Sequence, residues 1–118
     1  MRDLDLQNKF REGIVQQLSV TISRADGVLQ FSPQTLNAFT GDQIFWVNND
    51  TVAQQPAALN PDNSTTPIVD AIQPGDTSNI FSPSPLYDTA GNPISYTIRY
   101  TCSSDPAVKG AIAITPNP

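Results

Sequence analysis

The sequence predicts an all-β fold, an antiparallel Greek-key β-sandwich preceded by a short N-terminal helix or arm. Three observations predict it. Apolar and polar residues alternate with period two along several short runs, as half-buried strands require. Turn signals built on Gly, Pro and Asp interrupt those runs at short intervals. Only 14% of the 118 residues are charged, and 11 prolines and 6 glycines are present, a composition of short strands and turns rather than charged helices. That length suits one domain with a single core, expected over residues 17–118, behind an arm over residues 1–16.

In the arm, Leu6, Phe10 and Ile14 recur every fourth residue, with Arg2, Asp3, Lys9, Arg11 and Glu12 between them. This spacing predicts a short amphipathic helix that Gly13 weakens, packed on its own domain or docked on a neighbouring subunit. From Leu18 the period becomes two: Leu18, Val20 and Ile22 alternate with Ser19, Thr21 and Ser23, and Asp26-Gly27 then signals a turn. After Phe31-Ser32-Pro33, residues Leu36, Ala38 and Thr40 share one parity and lead to a turn at Gly41-Asp42. The run Gln43–Asn48 is apolar on both parities, which predicts a central strand with both faces covered.

Residues 56–67 read as a polar loop. Ile68, Val69 and Ile72 return to apolar character before a Pro74-Gly75 turn, and Ile80 and Phe81 belong to a following strand. Ser82 to Asn92, with two prolines and Asp88-Thr89-Ala90-Gly91-Asn92, predicts an exposed excursion or small hairpin. In the strand that follows, Tyr96, Ile98, Tyr100 and Cys102 share the buried face, a loop from Ser103 to Val108 folds over the cysteine, and Ala111–Thr115 close the sandwich.

Composition excludes several functions. The net charge of −5 argues against nucleic acid, whose binding rests on clustered Lys and Arg. A single cysteine forbids an internal disulfide, and a chain without histidine holds neither a Ser-His-Asp nor a Cys-His arrangement. No phosphate-binding glycine loop or zinc spacing of cysteines occurs, so no catalytic residue and no enzymatic activity are expected. No apolar run approaches the ~20 residues that span a bilayer. The first residues lack the apolar core of a signal peptide, which leaves an intracellular protein or the mature part of an exported one. A surface rich in Ser, Thr, Asn, Gln and Pro and poor in Lys favours the second, hence an extracellular, cell-surface or periplasmic location.

Two blocks carry a family resemblance. Phe31, Pro33, Leu36, Ala38, Gly41, Asp42, Ile44, Trp46, Asn48 and Asp50 have the spacing F-x-P-x-x-[ILV]-x-[AV]-x-x-G-D-x-[VI]-x-W-x-N-x-D, and Tyr100, Cys102, Pro106, Lys109 and Gly110 that of Y-x-C-x-x-H-P-x-M-K-G. The chain resembles the cupredoxin family of plastocyanin-like blue-copper proteins in both. The resemblance implies a copper site made of two histidines, a cysteine and an axial methionine. Its four positions fall here on Gln54, Cys102, Asp105 and Val108, so the cysteine alone is a family ligand. The reading is therefore a divergent member that has lost its type 1 copper site and carries no cofactor. It acts as a structural or interaction module, with a protein partner or self-assembly suspected. Gln54 and Asp105 are expected to hydrogen-bond across the altered site. The alternative is a copper-binding electron-transfer domain with an atypical Cys102-based site.

Overall fold

The computed structural model describes residues 15–117. The predicted N-terminal helix or arm over residues 1–16 therefore lies outside the described residues except at its last two positions.

The Asp26-Gly27 signal is a two-residue hairpin. Both residues take positive φ, 53° and 79°, which lets the chain reverse with the twist of the flanking strands. It joins β1 (Gln17–Ala25) to β2 (Val28–Ser32). β3 (Thr35–Phe39), β4 (Gln43–Asn48), β5 (Pro56–Leu59) and β6 (Thr65–Pro67) follow, then the minor strands β7 (Leu86–Tyr87) and β8 (Pro93–Ile94), and finally β9 (Tyr96–Cys102) and β10 (Asp105–Thr115). One sheet has the order β2-β1-β4 and the other β3-β10-β9-β5-β6, while β7 and β8 form a separate hairpin. No helix occurs among the described residues.

Most neighbours in the sandwich are antiparallel, but β1 lies parallel to β4 and β10 parallel to β3. Both exceptions join strands distant in sequence, where a Greek-key path brings the chain back in the same direction. The segment after Gly75 runs along the other side of β4, with bridges at Val47↔Thr77 and Ile44↔Phe81, so β4 is interior as expected. Its two faces differ from expectation. Ile44, Trp46 and Asn48 are buried and Gln43, Phe45 and Val47 only half-buried, because each sheet of a two-layer sandwich turns one face outward.

The core follows the period-two parities. Val20, Ile22, Leu29, Phe31, Ile44 and Trp46 come from one sheet, and Leu36, Ala38, Tyr100, Cys102, Ile112 and Ile114 from the other. Trp46 meets Tyr100 edge-on with ring centroids 5.5 Å apart, and Phe31 tilts against the same ring at 5.0 Å. This stack requires Gly110: a Cβ there would come within 2.4 Å of the Tyr100 ring.

Two further expectations meet the structure differently. The Ser82–Asn92 excursion does become a hairpin, its loop tied by the Asp88 carboxylate, which accepts the Ala90 and Asn92 N–H groups at 2.9 Å each. The loop expected from Ser103 to Val108 is shorter. Ser103 and Ser104 make the turn, and Asp105 already pairs with Cys102 as the first residue of β10. A register shift between Asp105 and Lys109 absorbs the intervening residues. The Thr101 hydroxyl stitches it, donating to the Val108 carbonyl at 2.7 Å.

Candidate functional site

At the end of β4 the chain must turn away from the sheet, and Asn48 shapes that turn from inside. Its fully buried amide nitrogen donates to the Val52 and Ile72 carbonyls at 2.9 Å each, and its oxygen accepts the Asp50 N–H at 2.9 Å. The turn delivers Asp50 and Gln54 to one place. Gln54 is held there by reciprocal backbone hydrogen bonds with Ile72, at 3.0 and 2.7 Å.

The Asp50 carboxylate, 2% exposed, is the hub. Arg24 reaches it with two hydrogen bonds, Nε to Oδ1 at 3.2 Å and Nη2 to Oδ2 at 2.9 Å. The Thr51 N–H donates to Oδ1 at 2.8 Å and Gln54 Nε2 to Oδ2 at 2.7 Å. Gln54 Oε1 in turn accepts the Ser104 hydroxyl. A continuous polar chain thus runs from Arg24 on β1 to Ser104 in the β9–β10 turn, from one sheet to the other. Bonds from Arg24 hold the Asp50 pKa at about 2 against the cost of burial, helped by Thr51 and Gln54.

Cys102 lies beside this chain, fully buried and opposite Pro56 in the β5–β9 pairing. Burial pushes its thiol up to about 12. The Gln55 N–H works against that shift and the negative charge of Asp50 adds to it. The protonated thiol packs as a small hydrophobe in the core cluster.

The four positions taken from the resemblance fare unequally. Gln54 and Cys102 are buried at the same end of the sandwich. Asp105 is half-buried, with its backbone paired to Cys102, and Val108 is half-buried against the core beyond the register shift. The cross-site bond expected between Gln54 and Asp105 is absent. Ser104 takes that place, because the tight turn presents its hydroxyl while Asp105 is already committed to the strand. Sequence reading missed Arg24 and Ser104, and took Asp50 only as a spacing match. The β1–β4 register carries the signal: Ile22 stands opposite Asn48, so two residues further on Arg24 meets Asp50. Among the described residues no group of three His, Cys, Asp or Glu side chains is placed to hold a metal ion.

No family model matches the chain, and no curated protein does. Solved structures do. The purple cupredoxin from Nitrosopumilus maritimus superposes with a TM-score of 0.61 at 17% identity, over 83% of this chain and 99% of that one. A Cu(I) structure of an amicyanin variant gives 0.57 at 11% identity, over 88% and 89% of the two chains. Another gives 0.56 at 11% identity, over 82% of each. The chain therefore has the cupredoxin-like fold, a β-sandwich shared with these proteins at low sequence identity.

Proposed function

We propose that the chain is a cupredoxin-like domain without a type 1 copper site, acting as a structural or interaction module outside the cytoplasm. The observation that carries this reading is the state of Gln54. At the position where the resemblance sets the first histidine, both ends of its amide are engaged, by Asp50 and by Ser104. The donor set does not fit a blue-copper ion. Such a site needs two imidazoles and a thiolate, whereas this chain has no histidine and a thiol held protonated by burial. On this reading the polar chain ties the two sheets without a metal, and the surfaces of the domain are the seat of its activity.

The test is the metal content of the purified protein by mass spectrometry, followed by titration with Cu(I) and Cu(II) while thiolate-to-copper absorption is recorded. Neither metal nor colour is expected. Stoichiometric copper that is lost in Cys102→Ser would overturn the reading and favour the alternative, a copper-binding electron-transfer domain built on Cys102. That alternative draws support from the likeness to amicyanin in its Cu(I) form. A triple variant, Gln54→His, Asp105→His and Val108→Met, separates fold from ligands: it is expected to take up copper with colour, which the unaltered chain does not.

A further inference from the structure

β10 is 11 residues long, but β3 pairs with only its last part, Ala111–Thr115. On the side away from β9, the stretch Pro106–Gly110 therefore has no strand beside it among the described residues. Across from it lies β2, the outermost strand of the other sheet. The space between is a groove of about 320 Å³, walled by Gln30, Ser32 and Gln34 on one side and by Val108 and Lys109 on the other. It continues past Gln34 and Lys109 into a second hollow of about 120 Å³, bordered by Thr35 and Arg99.

The distribution of charge singles out this groove. The described residues contain three cations, Arg24, Arg99 and Lys109. Arg24 is spent on Asp50, the one ion pair among the described residues. Among the described residues, Arg99 and Lys109 have no carboxylate within ion-pairing distance; both are exposed and share the second hollow. Lys109 Nζ donates, among the described residues, only to the Pro106 carbonyl of its own strand, at 3.2 Å. Eight carboxylates outnumber these three cations among the described residues, so an acidic partner is attracted at this place rather than at the acidic ones. The rest of the wall suits a peptide. Gln30 offers an amide that pairs with main-chain N–H and C=O groups, Gln34 the amide oxygen left once its nitrogen donates to the Lys109 carbonyl at 3.3 Å, Ser32 a hydroxyl, and Val108 a small apolar wall.

We propose that this groove is a docking site for an extended acidic segment of a protein partner, its carboxylates on Arg99 and Lys109 and its backbone along Gln30 and Gln34. The proposal rests on the interaction part of the function proposed above and gives it a surface.

The test uses the full chain, labelled with ¹⁵N, and a capped seven-residue peptide of alternating glutamate and valine. The expected result is amide shifts confined to the non-proline residues of 30–35, 98–100 and 107–111, weakening as salt rises. Replacing each glutamate by lysine is expected to abolish them. The double variant Arg99→Glu, Lys109→Glu, both exposed positions, is expected to lose at least about tenfold in affinity, or ~1.4 kcal/mol. An unchanged affinity in that variant, equal shifts with the lysine peptide, or no shifts at millimolar peptide would each overturn the proposal. So would shifts produced by a polyuronate but not by the peptide, which would make the occupant a glycan. Peptide binding mapped to another face removes this groove but leaves the interaction module standing, whereas copper loading removes the module reading without touching the groove.

Discussion

Two of the contacts that join the sheets are of opposite kinds. In the middle, Trp46 from one sheet and Tyr100 from the other meet as aromatic rings over Gly110. At one end, Arg24, Asp50, Gln54 and Ser104 make a polar relay. The first joint holds by excluded water and close packing. The second holds because each buried polar atom has its partner, so its strength depends on protonation and on every member being present. The middle joint ties the sheets by packing, and the polar end ties them around a buried carboxylate.

The largest expected effect strikes the middle. Trp46→Ala removes a fully buried indole and leaves a cavity against Tyr100, which is expected to cost about 3–5 kcal/mol in chemical denaturation. A loss under 1 kcal/mol would mean that the polar end, not the core, holds the sheets together.

Next comes the hub of the polar end. Asp50→Ala strips Arg24, Thr51 and Gln54 of a charged acceptor and is expected to cost about 2 kcal/mol, within the range for hydrogen bonds to charged groups. The pH dependence separates the two joints further. The folded pKa of Asp50 lies below its ordinary value of 3.8, at about 2. Its contribution is therefore complete above pH ~4 and lost as pH falls through about 2. Cys102 and Tyr100 shift the other way, both to about 12 through burial, so their contributions are complete below the ordinary values of 9.0 and 10.0 and lost as pH rises through about 12. Stability against pH is expected to fall at both extremes. In Asp50→Ala the acid-side fall is reduced and the alkaline side unchanged; a variant that keeps the full acid-side fall would show that other carboxylates set it.

The middle joint was legible in the sequence and the polar end was not. Alternation placed Val20, Ile22, Leu36, Ala38, Tyr100 and Cys102 on inner faces, because burial on one side of a strand imposes period two whatever the neighbours are. The turns at Asp26-Gly27, Gly41-Asp42 and Pro74-Gly75 were equally legible, since their glycines take positive φ that other residues avoid. A relay whose bonded partners lie up to 50 positions apart leaves no periodic trace. Arg24 and Asp50 become partners only once the parallel β1–β4 register is known, and Ser104 replaces Asp105 only once the turn is known to be two residues long. The uncovered stretch of β10 was hidden for the same reason, because the sequence does not say where β3 stops pairing.

The smallest effect is the sharpest test of the relay. Ser104→Ala removes one neutral hydrogen bond at its outer end, and the expected loss is about 0.5–1.5 kcal/mol. A loss of that size could arise from many surface changes, so its magnitude decides little by itself. The coupling decides. If Ser104 acts through Gln54, then Ser104→Ala costs nothing further once Gln54→Ala is in place, because the acceptor it served is gone. Asp105→Ala, at the residue one step along the chain, adds to Gln54→Ala without coupling, because no bond joins the two side chains. A double-mutant cycle that couples Gln54 to Asp105 and not to Ser104 would return the site to the geometry the family resemblance implies, and with it the prospect of a ligand shared between those two positions.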